Sequence, residues 1–411
     1  MKYRSWFAHD PGRRDYFPDM TFDPSAVQKD LRAAKLQGWL FYDFRGRDPI
    51  AHRILQLPPG MRTRRWFYFV PAKGQPRKLV HKIESESLAA LPGETLYYAG
   101  QDELRKNLGK LLHGTKSIAM QYSPKNQIPY VAMVDAGTIE LVRGAGAKIL
   151  SSADLVQKYE ACWTPQQLQS HLDAGKSIDR IVTEAFRYAA KRVRDRQPIT
   201  EYDLKHWILN EFATAGIITE EGPDIAVNEH ASDPHYGPVE GKSAPIREDD
   251  FLLLDVWGKT ESLNSVYYDI TWTGFMGAKV PEKYAKVFAV VREARDKAVD
   301  LIRDRIAAGK ELQGWQVDDA ARKVIDKAGY GKYFFHRTGH SIGESVHGNA
   351  VNMDNLETHD VRHLIPGICT SIEPGIYLKD FGIRSEVNVY IGEREARVTG
   401  AVQQEILPLL A

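Results

Sequence analysis

Cysteine is nearly absent from this 411-residue chain: Cys162 and Cys369 stand alone and far apart. Two such thiols exclude a disulfide framework and a thiolate metal site, and they fit a reducing compartment. No apolar run approaches the roughly 18 residues that a membrane-spanning helix needs. The opening stretch, residues 1–17, lacks the apolar centre of a signal peptide, so the cytoplasm is the expected location. An excess of one charge is also missing. With 55 Lys and Arg against 54 Asp and Glu the net charge is +1, and no bulk field favours nucleic acid or a membrane surface. The one basic cluster, Arg62, Arg64 and Arg65, abuts an apolar run and reads as a solvated strand end.

What is present suggests two domains, since a chain this long exceeds one ordinary core. Residues 1–160 read as a smaller mixed α/β unit. Asp23-Pro24 is an N-cap and N1 pair for a helix to about Leu36. Strand-like runs follow at 38–44, 65–71, 77–81, 95–99 and 117–121, with helical patterns near 84–91 and 102–113. No catalytic cluster falls there. Residues 161–411 differ in texture. Thr164-Pro165-Gln166-Gln167 signals a capped helix running to about Arg196, and Thr200 opens another that ends at Ala215-Gly216. A loop with Asn228, His230 and His235 precedes two apolar runs, FLLLDVW and YYDITWT. Helices at about 281–308 and 314–328 lead to a Gly-rich histidine segment and two more apolar runs, TSIEPGIY and IRSEVNVY.

This order of elements occurs twice. His235 and His347 lie 112 residues apart, Asp255 and Glu373 lie 118 apart, and Asp269 and Glu386 lie 117 apart. A near-constant offset implies a duplicated α+β unit whose halves each bring two acids to one central site. Asp255, Asp269, Glu373 and Glu386 all sit inside strand-like apolar runs, where a charged carboxylate is rarely buried unless it is paired or binds metal. Strand parity sets Asp255 on a face with Leu253 and Trp257, and Asp269 on a face with Thr271 and Thr273. Turn formers at 258–266 suggest a hairpin with both Asp side by side. The same reasoning pairs Glu373 with Glu386 around LKDFG, with Pro374 breaking the ladder. Four carboxylates with His340 form a hard, oxygen-rich set that suits Mn²⁺, with Co²⁺, Fe²⁺ or Zn²⁺ as alternatives. Their number suits two ions.

HRTGHSIG…VH, SIEPGIY and IRSE, preceded by D-x13-D and a PHYG loop, resemble the pita-bread metallopeptidases. That superfamily includes Xaa-Pro dipeptidase (prolidase), aminopeptidase P, methionine aminopeptidase and creatinase. The resemblance covers about residues 160–411. The N-terminal unit resembles the creatinase/prolidase N-terminal domain more loosely, in size and texture. The resemblance implies an α+β protein: duplicated helix-helix-β halves around a central antiparallel sheet, with the smaller α/β domain in front. It implies Asp255, Asp269, His340, Glu373 and Glu386 as ligands of two divalent ions, and Glu373 also as general base. It assigns His347 to the tetrahedral intermediate and His235 to substrate or leaving group. His336, Tyr377 and Arg384 match the proline-specific branch. The implied reaction is hydrolysis of the bond before proline in a dipeptide or short peptide, by attack of a metal-bridging hydroxide. A homodimer is the implied assembly.

Three positions depart from the family pattern. Asp255 and Asp269 are 14 apart, about three more than most members. Gly348 replaces the acid that commonly follows the histidine, and Val387 replaces the acid after the last glutamate. Other readings stay open at this point: a catalytically silent binding protein, a creatinase-like C–N hydrolase, or a serine hydrolase. The last rests on Gly339-His340-Ser341-Ile342-Gly343, which matches a nucleophile-elbow pattern with Ser341 as nucleophile. Residues 237–243 are one residue short of a phosphate-binding loop and follow no strand.

Overall fold

The structure, a computed structural model, describes residues 22–58, 60 and 62–411. Residues 1–17, read above for a signal peptide, lie outside them. The chain separates into two compact units, Met1–Val156 and Gln157–Ala411.

The first unit holds helices α1 (Pro24–Ala33), α2 (Pro49–Ile54), α3 (Gln101–Leu111), α4 (Ala136–Gly144) and α5 (Ala153–Val156). Its strands are β1 (Gly38–Asp43), β2 (Trp66–Pro71), β3 (Arg77–His81), β4 (Glu94–Tyr98), β5 (Ser117–Met120) and β6 (Lys148–Ser151). They form one sheet in the order β4-β3-β2-β1-β5-β6. Only β2 runs against the others. Leu104, Leu108 and Leu111 repeat at helical spacing and bury one face of α3 against Leu40, Phe67 and Leu79 of the sheet. The expected helix at 84–91 is a single 3₁₀ turn, Lys82–Glu84, followed by turns. Ser87 donates its hydroxyl to the Glu84 carbonyl at 2.8 Å, a local bond that competes with helix continuation.

The second unit begins with α6 (Pro165–Arg194) and α7 (Glu201–Ala215), opened by reciprocal capping boxes, Thr164 with Gln167 and Thr200 with Asp203. Gly216, at φ +67°, closes α7 in the left-handed conformation. Strands β7 (Ile217–Ile218), β8 (Asp224–Val227), β9 (Phe251–Thr260) and β10 (Tyr268–Phe275) follow. Helices α8 (Glu282–Ala307) and α9 (Gly314–Lys327) then lead to β11 (Ser341–Ile342), β12 (Cys369–Ile372), β13 (Gly375–Tyr377) and β14 (Gly382–Arg384). The chain ends with β15 (Val387–Ile391), β16 (Ala396–Thr399) and β17 (Leu407–Pro408).

Each half of this unit has its own core. Leu252, Leu254, Val256 and Ile270 pack with α6 and α7, whereas Phe251 and Leu253 join the core built on α8, α9 and β12 to β16. The two faces of β9 therefore belong to different halves, and Asp255 shares the face of Leu253 that looks toward the second half. The fold is α+β, two matched helix-helix-β halves around antiparallel ladders.

Candidate active site

The site is built where the two half-sheets meet. In the β9–β10 ladder Asp255 is opposite Thr271, and Asp269 is opposite Trp257. The two Asp are thus diagonal neighbours rather than side by side, because the long 261–267 connection sets this register. The β12–β15 and β13–β14 ladders share one register on either side of a break. That register puts Glu373 across from Glu386 in the break itself, as Pro374 requires. Freed from each other, the Glu373 N–H donates to the Thr338 carbonyl at 2.7 Å and the Glu386 N–H to the Thr271 carbonyl at 3.4 Å.

The side chains converge. His340 Nε2 lies 3.5 Å from Asp269 Oδ2 and 3.4 Å from Glu373 Oε1. His340 Nδ1 is 3.1 Å from the Ser341 carbonyl, which only accepts, so Nδ1 holds the proton and Nε2 turns a lone pair toward the acids. Asp269, His340 and Glu386 each offer a ligand atom, all within 4.8 Å of one another. Asp255 joins the group, but its carboxylate is taken up by Arg384 Nη2 and, at 3.0 Å, by Thr271 Oγ1. Thr271 also reaches Glu386 Oε2 at 2.9 Å and accepts from Arg384 Nε at 2.9 Å. Its hydroxyl has one proton, so it serves one of the two acids at a time.

Burial and mutual repulsion dominate the electrostatics. Burial first, then Asp255, holds Asp269 well above the usual carboxylate range. Burial, then Asp269, Glu373 and Asp255, does the same for Glu386. Glu373 is also raised, chiefly by burial, with His340 and Arg384 opposing the shift. One guanidinium faces four carboxylates. Asp269 Oδ1 and Glu386 Oε1 are buried without a hydrogen-bond partner. Orphaned acid oxygens beside an imidazole lone pair fit divalent cations, and this donor set meets the requirement.

A second chain of contacts leads away from the acids. Arg384 Nη1 donates to Tyr377 Oη at 3.1 Å, and Tyr377 lies 2.8 Å from His336 Nε2. His336 Nδ1 is 2.7 Å from the Arg337 carbonyl, so the phenol is the donor to Nε2. Burial, then Arg384, pushes His336 down to about 3, and burial pushes Tyr377 up to about 12. Both stay neutral. His347 stacks edge-on against His340 at 4.4 Å, and His340 presses it toward its neutral form. His235 is exposed on its loop, while its neighbour Pro234 offers a carbonyl to Arg384 Nη1 at 3.5 Å.

Ser341 is not presented as a nucleophile. It is buried, and its hydroxyl accepts from the Ala350 N–H at 3.0 Å. Gly348 answers to the same residue: its N–H donates to the Ser341 carbonyl at 2.7 Å, and a Cβ there would meet Ser341 Oγ at 2.8 Å. Val387 sits in the apolar core of the second half.

Thr271, Asn388 and Gln403 were not singled out from the sequence. The Asn388 carboxamide bonds both backbone groups of Asp269, and that of Gln403 bonds both of Thr273. Asn388 lies two residues after Glu386 and so shares its face, which is the only signal that could have found it.

Residues 175–393 match the model of metallopeptidase family M24. Similar curated proteins include an uncharacterized peptidase of Schizosaccharomyces pombe, 33% identical over 210 residues, covering 47% of this chain and 42% of that protein. The Xaa-Pro dipeptidase of Lactobacillus helveticus is 28% identical over 238 residues, covering 57% of this chain and 58% of its own length. The chain thus spans about half the length of these relatives. Among solved structures, dipeptidase PepE of Mycobacterium ulcerans aligns with TM-score 0.67 at 22% identity, over 93% of this chain and 96% of that one. All ten residues singled out for the site fall inside the matched segment, and more than half of the chain lies within it: the chain belongs to metallopeptidase family M24.

Proposed function

We propose that this chain is a metallopeptidase that hydrolyses the peptide bond before proline. The observation that carries the proposal is the pair of buried, unpartnered oxygens, Asp269 Oδ1 and Glu386 Oε1, beside His340 and the Arg384–Tyr377–His336 chain. Asp255, Asp269, His340, Glu373 and Glu386 would hold two divalent ions, Mn²⁺ first, which when bound supply acidified water and a polarised carbonyl. Glu373 takes a proton from the attacking water and returns it to the prolyl nitrogen, which carries no hydrogen in the peptide. His347, though neutral, keeps one N–H to donate to the carbonyl oxygen as it gains charge. Arg384 has Nε, Nη1 and Nη2 all engaged. Through these bonds it orients Asp255 and Tyr377. Tyr377 in turn holds His336 at the proline-recognising wall.

The test is an assay of the full chain, stripped of metal and reconstituted with Mn²⁺, on Ala-Pro and on Xaa-Pro-Xaa peptides. Cleavage of dipeptides alone identifies an Xaa-Pro dipeptidase, and cleavage of tripeptides an Xaa-Pro aminopeptidase. No hydrolysis of either by the metal-replete protein refutes the proposal. A homodimer and a cytoplasmic location belong to the same reading and are checked by sedimentation and cell fractionation.

A further inference from the structure

The first unit contains a cavity of about 990 Å³ that the peptidase reading leaves unused. Its position follows from the sheet. The cavity is lined by Tyr42 and Phe44 at the end of β1, His81 at the end of β3 and Tyr98 at the end of β4. These are carboxyl ends of parallel strands, joined there by Arg64 and Arg65 at the start of the antiparallel β2. The order β4-β3-β2-β1-β5-β6 reverses direction at β1, and α4, which follows β5, forms another wall. In open α/β sheets the crevice at the carboxyl edge beside such a reversal is where ligands bind.

The lining has a marked charge. Arg47, Arg64, Arg65 and Arg105 face two carboxylates, Asp135 and Glu140. Asp135 is committed to capping α4, accepting from Thr138 N and Oγ1 at 2.9 Å each. Among the described residues none of the four guanidiniums has a carboxylate within ion-pair distance. Arg47 rests over the Phe44 ring at 5.4 Å, and Arg64 donates to Thr63 Oγ1 at 2.9 Å. A concave surface with an excess of positive charge concentrates counter-anions, and guanidinium forks match phosphate oxygens. The N-terminus of α3 is not the attraction, because Glu103 already accepts from the Ala99 N–H at 2.7 Å. Phe44, Leu141 and Ala145 supply an apolar wall beside the arginines. Inorganic phosphate alone would leave that wall uncovered.

We propose that this cleft binds a nucleoside polyphosphate, its phosphates on Arg64, Arg65 and Arg105 and its organic part against Phe44, Leu141 and Ala145. This second site is independent of the peptidase reading. Calorimetric titration of the full chain with ATP and with tripolyphosphate tests it, together with hydrogen exchange of the ATP-bound protein. The expected result is one-to-one ATP binding below roughly 1 mM, weaker binding of tripolyphosphate, and protection at residues 97–105 and 135–145. Binding of ATP should fall at least about tenfold in the exposed-residue double variant R64A/R105A. Absence of ATP binding, unchanged affinity in that variant, or protection confined to residues 338–348 would each overturn the site. Equal affinity for tripolyphosphate and ATP would overturn the nucleotide assignment.

Discussion

Asn388 offers the sharpest test of how the candidate centre is held. Its carboxamide accepts from the Asp269 N–H at 3.2 Å and donates to the Asp269 carbonyl. Asn388 is fully buried. Asn388→Val keeps the volume but leaves two buried backbone groups unpaired, at about 1–3 kcal/mol each, or roughly 2–6 kcal/mol in all. At roughly 2–4 °C per kcal/mol for a unit of this size, the melting temperature of the second unit should fall by at least about 4 °C. Gln403→Leu removes the same kind of pair at Thr273, two positions further along the same face, and should cost a similar amount. The variants should part company in metal titrations. Loss of a partner behind a ligand typically weakens metal binding by about 10–100-fold, so N388V should bind Mn²⁺ at least about tenfold more weakly while Q403L matches the parent. Calorimetric melting and Mn²⁺ titration by isothermal calorimetry give both quantities. Equal metal affinity in the two variants would refute the claim that Asn388 positions Asp269.

Three further outcomes follow from buried groups. His171 is sealed between the Tyr267 carbonyl and Thr399 Oγ1, each at 2.6 Å, and burial pushes it down to about 4. The unfolded chain takes up that proton near pH 6.5, so stability is full above that value and is lost as pH falls toward 4, by ~3 kcal/mol. Urea unfolding at pH 7 and pH 4.5 should show this loss, and His171→Gln should flatten it; an equally steep loss in the variant sinks the assignment. Glu201 is buried and accepts from Val227 N and Ala244 N at 2.8 Å, Tyr236 Oη at 2.6 Å and His230 Nδ1 at 2.9 Å, so it pins the loop that bears His235. Glu201→Gln should raise KM for an Xaa-Pro substrate several-fold with Mn²⁺ affinity unchanged, and an unaltered KM counts against that role. Ser341→Ala should cost about 1 kcal/mol, for one lost hydrogen bond, and leave turnover intact; abolished turnover would revive the serine nucleophile.

Local signals were readable wherever the chain closes its own contacts. Thr164 and Thr200 announce helix starts because the capping partners lie three residues away. Parity set Asp255 on a face with Leu253 and Asp269 on a face with Thr271, since alternation in a strand needs no knowledge of the partner; that the Leu253 face looks toward the second half came from the packing. The same grammar was available and unused at Asp48-Pro49, which opens α2, and at Asp135, which caps α4. The 84–91 segment failed for a local reason too, as the Ser87 hydroxyl competes for the Glu84 carbonyl. Gly348 looked like a lost acid. A Cβ there would meet Ser341 Oγ at 2.8 Å, so a side chain requires Ser341 to shift, a contact that spacing does not reveal.

The rest was hidden because the site divides a sheet. Acids from both halves can meet only if β10 does not continue into β15 as a regular ladder. The break leaves backbone groups of Asp269, Thr271 and Thr273 facing the other half, where an unpaired N–H or carbonyl is costly. Side chains complete the edge: Asn388 serves Asp269, the Glu386 N–H reaches Thr271, and Gln403 serves Thr273. The partners are separated by 119 residues in the first case and 130 in the last, so no window of sequence contains both. A carboxamide suits this work because it has one acceptor and one donor side, as a strand residue does. A repeat seen in a sequence announces two halves. The polar residues that join them belong to neither half's pattern, and they set where the acids of the candidate metal site come to rest.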